Sequence, residues 1–154
     1  MLNQDPLDHD WIAAHIPHQG SMCLLDRVES WDAERIQCRA HSHRSPDNPL
    51  RSHDRLGSAC GIEYAAQAMA VHGALRNQSK HASAGFLVSV RGTRLYVQRL
   101  DDIVADLIVK ASSITCSENN ILYRFEVCAE DRLLIEGRAA VVLDAESLIT
   151  KETP

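Results

Sequence analysis

Aromatic residues are scarce in this sequence, whose 154 residues include two phenylalanines, two tryptophans and three tyrosines. Positive charge is also in short supply: the formal net charge is -5 at pH 7, which argues against nucleic acid as a main partner. No apolar run approaches the roughly 20 residues that span a bilayer. The acidic, polar start MLNQDPLDHDW does not resemble a secretory signal. These absences predict a cytoplasmic protein that does not use a membrane.

Paired cysteines and nucleotide-binding motifs are missing as well. The five cysteines are widely spaced without a C-x-x-C pair, which favours reduced thiols over a disulfide framework. The G-x-G-x-x-G and P-loop patterns are absent, and Ser58 lacks the G-x-S-x-G setting of a serine hydrolase. Cys60 lies near a helix start, which would lower its pKa, but no base is identifiable for it. We therefore expect no cofactor and interpret Cys60 as a packing residue.

Eight histidines raise the question of a metal site. The ligand-compatible spacings are His15-x-x-His18 and His41-x-His43, with Asp26 or Glu29 as possible additional ligands. No H-E-x-x-H or paired-cysteine pattern accompanies them, and such short spacings arise often by chance. No metal is predicted.

The periodicity of apolar residues predicts an α+β domain. The expected elements are a short helix over residues 7–15, strands over 22–31 and 35–41, a helix over 58–75, and strands over 85–97, 104–116, 121–129 and 133–143. The long helix is apolar on nearly every face and must therefore be buried on nearly every face. An antiparallel sheet wrapped around one long central helix satisfies that requirement. We expect a single domain over residues 1–154, with its core at about 10–143.

One carboxylate interrupts this apolar helix. Glu63 and Gln67 are four residues apart in GIEYAAQAMAVHG and therefore project from one helical face. A carboxyl group in such surroundings loses hydration, which favours its protonated form and suits it to acid–base work near neutral pH. The alternative is that Glu63 reaches solvent or pairs with an arginine.

Three segments carry a resemblance to a known family. IPHQGSMCLLDRV (residues 16–28), GIEYAAQAMAVHGAL (61–75) and GFLVSVRGTRLYVQRLDD (85–102) resemble, in order and spacing, the 3-hydroxyacyl-acyl-carrier-protein dehydratases of the hotdog superfamily. The Gly-Ile-Glu-Tyr-x-x-Gln-Ala form is similar to the branch found in aryl polyene clusters. The resemblance implies a hotdog fold, a dimer with sites at the subunit interface, and dehydration by an acidic residue and a histidine of the partner subunit.

Carried over by position, the resemblance assigns the acidic role to Glu63. The family's histidine stands in a Gly-His-Phe-Pro segment fourteen residues before the acid, but that count reaches Pro49, and His53 comes too late. His18, which follows a proline in the opening motif, is the best candidate for the moved role, although it could instead be a structural hydrogen bonder. Further residues implied to bind substrate are Asn48, Ser58, Gly61, Gln67, Gly85 and Phe86. One of His41 and His43 could face inward, but we interpret both as surface residues, and His72 as part of a capped or solvent-facing helix end.

Three functions remain open from the sequence. The leading one is dehydration of 3-hydroxyacyl chains on acyl carrier protein, in fatty-acid-like or polyene biosynthesis. The others are thioester hydrolysis and a non-catalytic subunit that completes a heterodimer with a paralogous hotdog chain. An acidic carrier protein would approach a basic rim, for which the candidates are Arg51, Arg55, Arg91, Arg94 and Arg99.

Overall fold

One long helix packs against a six-stranded antiparallel sheet in the computed structural model of this protein, which describes residues 7–18, 20–76 and 86–142, without the side chains of 86–88. The helices are α1 (His9–His15) and α2 (Gly61–Arg76). The strands are β1 (Arg27–Trp31), β2 (Arg35–Ala40), β3 (Phe86–Leu95), β4 (Leu107–Cys116), β5 (Asn120–Ala129) and β6 (Arg132–Val142). Short 3-10 turns cover Gly20–Met22, Ser42–Arg44 and Ser58–Cys60.

The strand order in the sheet is β1-β2-β4-β5-β6-β3, and every neighbouring pair is antiparallel. The predicted α+β class and the wrapped sheet are therefore confirmed. The strand expected over residues 22–31 is shorter and begins at Arg27. Leu24 and Leu25 are both buried, so this segment turns consecutive side chains inward instead of alternating.

Helix α2 is buried on several faces, as its composition predicts. Its buried residues include alanines, Met69 and Leu75, which are good helix formers. The helix starts at Gly61, after the Ser58–Cys60 turn, and a Cβ atom at Gly61 would lie 2.2 Å from Cδ1 of Ile135. A glycine is thus needed where the helix start meets β6. In the described part of the chain no helix is long and apolar enough to cross a membrane.

A tight hairpin turn joins β5 to β6. Its two central residues, Glu130 and Asp131, have φ angles of 49° and 63°, as the favoured two-residue turn of a twisted hairpin requires. This turn connects the strands predicted over residues 121–129 and 133–143 and fixes their register.

Two histidines lie in the core, against expectation. His72 is fully buried: its Nε2 donates to the carbonyl of Asp32 at 2.8 Å, and its Nδ1 lies 2.7 Å from the hydroxyl of Tyr123. His43 is also fully buried, and its Nε2 lies 3.0 Å from the carbonyls of both Ile103 and Ala105. The interpretation of His72 as solvent-facing and of His43 as a surface residue was wrong, because tertiary contacts cover both rings.

The close approach of β6 to β5 generates a stability prediction. A Cβ atom at Gly137 would lie 2.8 Å and 2.9 Å from ring atoms of Phe125 and 3.1 Å from Oγ1 of Thr93. We expect Gly137→Ala to lower the free energy of unfolding by about 1–3 kcal/mol through overpacking, measured by chemical denaturation at a fixed protein concentration. Gly57→Ala is the matched control, because its Cβ would meet nothing within 4 Å. Equal stability of the two variants would contradict this packing.

The buried imidazole of His72 generates a pH prediction. Burial lowers its pKa below the ordinary value of 6.5, with the Arg76 charge acting in the same direction, so the unfolded chain binds this proton more readily than the folded one. The free energy of unfolding should therefore fall as pH drops below about 6.5. His72 alone contributes at most about 1.4 kcal/mol per pH unit to this fall. His72→Gln should flatten this fall in urea titrations between about pH 7.5 and about pH 5.5. His43, whose pKa burial also lowers, keeps part of the slope in the variant. Parallel pH profiles for the two proteins would rule out a contribution of His72.

Candidate active site

The segment that carries His18 is anchored on both sides. Helix α1 is capped by Asp8, whose side chain accepts a 2.9 Å hydrogen bond from the backbone N–H of Trp11. The helix ends at His15, followed by the buried side chain of Ile16 and by Pro17, which has no backbone N–H. His18 therefore leaves α1 from a restrained backbone and projects towards α2.

His18 meets Glu63, which stands in the first turn of α2. Its Nε2 atom lies 2.9 Å from Oε1 of Glu63, and the two side chains are 25% and 32% exposed. The two residues selected from the sequence as a catalytic pair are thus in hydrogen-bonding contact. The pair lies within one chain, whereas the family resemblance implies one residue from each subunit. The expected dry surroundings of Glu63 hold only in part, since a third of its side chain is exposed.

Gln67 supports this pair from one helical turn further along α2. Its side chain is fully buried, and its Oε1 accepts a 2.9 Å hydrogen bond from the N–H of Leu24. Its Nε2 donates to the carbonyl of Met22 at 2.6 Å and to Oε1 of Glu63 at 3.3 Å. The two backbone contacts fix the orientation of the amide, so Gln67 presents an N–H to the carboxyl group of Glu63.

Asn48 lies in a second polar cluster beside α2. Its Nδ2 donates to the carbonyl of Ser42 at 2.9 Å and to the hydroxyl of Tyr64 at 3.0 Å. The Tyr64 hydroxyl is also 2.7 Å from Oγ of Ser42, which donates to the carbonyl of Leu24. The sequence reasoning missed Tyr64 and Ser42. The available signal was a phenolic hydroxyl in a helix that is otherwise apolar, because a buried hydroxyl needs a partner.

The helix start holds two more of the residues assigned to substrate binding. Ser58 is buried, and its N–H donates to the carbonyl of Gln98 at 3.1 Å. The N–H of Gly61 donates to the carbonyls of Ser58 and Ala59, so this group is already engaged. Of the remaining two assignments, Gly85 and the side chain of Phe86 lie outside the described residues.

The thiol of Cys60 does not have the low pKa expected from its place near a helix start. Burial raises its pKa above 9.0, although a backbone hydrogen bond from Gly57 acts in the opposite direction. Desolvation of the thiolate outweighs the field of the helix end. The packing interpretation of Cys60 agrees with this environment.

The candidate metal ligands are engaged in other contacts. His15 stacks on Trp11 with ring centroids 3.9 Å apart, and His41 is exposed and paired with Asp26. Within the described residues, no group of three or more histidine, cysteine, aspartate or glutamate side chains has the arrangement of a metal site.

The candidate rim arginines lie in two different places. Arg91 and Arg94 belong to β3, whereas Arg51 and Arg55 belong to the loop that precedes α2. Arg99 is held by Asp101, to which its Nε donates at 3.0 Å.

Several solved structures share the fold. The dehydratase heterocomplex ApeI:P from Xenorhabdus doucetiae aligns with a TM-score of 0.78 and 21% identity, covering 99% of this chain and 100% of that chain. Zebrafish thioesterase superfamily member 2 aligns with a TM-score of 0.63 and 11% identity over 88% and 94% of the two chains. AziG of S. sahachiroi aligns with a TM-score of 0.59 and 13% identity, covering 79% of this chain and 91% of that chain. At these identities the likeness establishes the hotdog fold.

Sequence comparison identifies the family. No protein with a curated description matches the sequence. The model of the ApeP-like family, described as ApeP dehydratase, matches residues 11–150. Because this match spans nearly the whole sequence, the chain belongs to the ApeP-like family of hotdog dehydratases.

Proposed function

We propose that this protein dehydrates 3-hydroxyacyl thioesters carried on acyl carrier protein to trans-2-enoyl thioesters, in fatty-acid-like or polyene biosynthesis. The observation that carries the proposal is the 2.9 Å contact between Nε2 of His18 and Oε1 of Glu63. Membership of a dehydratase family supports the reaction class. Glu63 and His18 are the proposed catalytic residues.

In the proposed reaction, His18 acts as the base and Glu63 acts as the acid. His18 accepts the proton from C2 of the substrate, while protonated Glu63 gives its proton to the departing C3 hydroxyl. The C2 electron pair forms the new double bond, the C3–O bond breaks, and water leaves. This step produces an imidazolium next to a carboxylate. The 2.9 Å contact between Nε2 and Oε1 stabilises this ion pair, and proton exchange with water restores protonated Glu63 and neutral His18, since both side chains are partly exposed.

Gln67 is proposed to position this pair. Its amide ties the helix that carries Glu63 to the Met22–Leu24 backbone, a few residues after His18. Its remaining N–H, directed at Oε1 of Glu63, constrains the carboxyl group against rotation. Oε2 of Glu63 has no hydrogen-bond partner among the residues that the structure describes, which leaves it available to the substrate hydroxyl.

The proposed assembly is a homodimer or a heterodimer with a paralogous hotdog subunit. The likeness to a dehydratase heterocomplex supports the heterodimer as a candidate. The 25% and 32% exposure of His18 and Glu63 leaves a surface that substrate or a second subunit could cover. An acidic carrier protein is the proposed macromolecular partner, and Arg51 and Arg55 lie on the loop leading to the helix of Glu63.

Replacement of the catalytic pair gives the direct test of activity. We expect Glu63→Gln and His18→Ala to lower the dehydration rate of 3-hydroxyacyl carrier protein by roughly 10²–10⁴-fold while the fold is retained. Mass spectrometry follows the loss of one water from the acyl chain. Glu126→Gln on β5, on the sheet face away from α2, is the matched control and should keep full activity.

The same assay separates the competing functions. Release of free thiol would indicate thioester hydrolysis, and binding without conversion, alone or with the paralogous subunit, would indicate a non-catalytic subunit. Wild-type turnover in Glu63→Gln would end the proposed role of that carboxyl group.

Replacement of Gln67 tests the positioning role. Gln67→Met keeps the approximate shape but removes the amide, so we expect kcat to fall roughly 10- to 100-fold with a smaller change in KM. The unfolding free energy should fall by about 1–3 kcal/mol, because the N–H of Leu24 loses its acceptor. Gln67→Glu restores an acceptor for the N–H of Leu24 but supplies no amide N–H to Glu63. We therefore expect this variant to recover more of the unfolding free energy than of kcat. Gln37→Met, at a half-buried glutamine that pairs with Glu29, is the control. Unchanged kcat in both Gln67 variants would exclude the positioning role.

A further inference from the structure

The outer face of the sheet carries a row of arginines that crosses five strands. Strand register places Arg35 opposite Ser112, Ser112 opposite Arg124, Arg124 opposite Arg138, and Arg138 opposite Arg91. All four arginines are exposed. We call these four arginines, together with Ser112 between Arg35 and Arg124, the arginine row.

The row lies on the face away from α2. The residues that alternate with its members, including Ile36, Ala111, Phe125 and Ala139, are buried in the core. The arginine row therefore points away from the side of the sheet that holds His18.

This arrangement brings like charges together within the sheet. Neighbouring strands are about 4.8 Å apart, and like charges directly opposite each other destabilise a sheet. Arg124, Arg138 and Arg91 are three such neighbours in succession. Within the described ranges, the one ion pair that a member forms joins Arg124 to Glu136, with Nη2 and Oε1 3.5 Å apart. A row of exposed guanidinium groups on a chain of net charge -5 is the pattern of a surface that meets carboxylates.

The neighbouring row carries charges of both signs. By the same register it contains Gln37, Lys110, Glu126, Glu136 and Arg94. A broad, uniformly negative surface would meet its two carboxylates, whereas a narrow acidic helix can contact the arginine row alone. A protein surface can present carboxylates to one row and avoid the other.

A groove lies at one end of the arginine row. It has a volume of about 730 Å³, and its lining includes Trp31, Arg35, Ser112 and Arg124. Trp31 is 38% exposed and offers an apolar contact next to the guanidinium groups. Charged and apolar contacts thus occur together at this end.

We propose that the arginine row is a docking surface for an acidic amphipathic helix of a partner protein. The strand spacing of about 4.8 Å is close to the 5.4 Å rise of one helical turn, so carboxylates one turn apart can meet successive strands. Four strand steps span about 19 Å, the length of a helix of about 13 residues. Each guanidinium group can hold a carboxylate with two parallel hydrogen bonds. An apolar side chain of the same helix would contact Trp31.

A designed peptide tests this surface without knowledge of the natural partner. The probe is an alanine-based helical peptide of about 15 residues with glutamates at i, i+7, i+11 and i+14, which share one face and match the spacing of Arg35, Arg124, Arg138 and Arg91. A control peptide of the same composition distributes the glutamates around the helix. Fluorescence anisotropy should show that the one-face peptide binds more tightly, and that salt weakens its binding.

Paired substitutions identify the residues involved. Arg91→Gln with Arg138→Gln should weaken binding of the one-face peptide roughly tenfold. The double variant should fold with unchanged or raised stability, since it removes a like-charge contact. The control pair Arg27→Gln with Arg132→Gln removes two exposed positive charges outside the arginine row and should bind like the wild type. Dehydration of a small pantetheine thioester should be unaffected by the double variant, since docking on this face does not depend on the activity proposed above.

Three results would overturn the proposal. These are equal affinity for the two peptides, undiminished binding by the folded Arg91→Gln, Arg138→Gln variant, and loss of binding in the control pair Arg27→Gln with Arg132→Gln. Vesicles of phosphatidylserine and phosphatidylcholine serve as a further probe. If vesicles bound through Arg91 and Arg138 while the peptide did not, the surface would be assigned to a membrane and the helix-docking proposal would fail.

Discussion

The buried amide of Gln67 is the interaction on which the arrangement of the site depends. A fully buried amide must find partners for its donors and acceptor, and those of Gln67 are the backbone of Met22 and Leu24 and the carboxyl group of Glu63. Satisfying it joins α2 to the segment that follows α1. That junction sets the distance between His18 and Glu63. Glu63 lies one helical turn before Gln67, and His18 lies a few residues before Met22.

Two other polar residues of α2 make equivalent connections. Tyr64 bonds to the Ser42–Asn48 region, and His72 bonds to Asp32 and Tyr123. Apolar burial stabilises the helix within the sheet, but it is not directional, and a helix buried on several faces gains little from one rotation over another. Hydrogen bonds are directional, and an unmade one in the core is costly. The three polar residues thus fix the rotation and depth of a helix that hydrophobic contacts only hold in place.

The two faces of the sheet separate the two kinds of chemistry in this protein. The inner face and α2 enclose the core and the His18–Glu63 pair. The outer face carries charge, with arginines aligned across strands by the register of the sheet. Because alternate residues of a strand face opposite ways, the same strands build a dry core and a charged surface. Contacts made on the outer face leave the site on the other side uncovered.

The sequence by itself determined the elements and one half of the site. A helix apolar on nearly all faces requires a surrounding sheet, and strand alternation marks the outer and inner residues. Glu63 is conspicuous because it is the one carboxylate in that helix. Only the tertiary structure decided which histidine meets Glu63, because His18 and Glu63 are far apart along the chain and their contact depends on how Gln67 is satisfied. It likewise decided that His72 and His43 are buried, and that the Leu24–Leu25 segment turns inward instead of continuing a strand. Local pattern specifies backbone conformation and the side of burial, whereas the pairing of polar groups distant in sequence depends on the geometry of the whole fold.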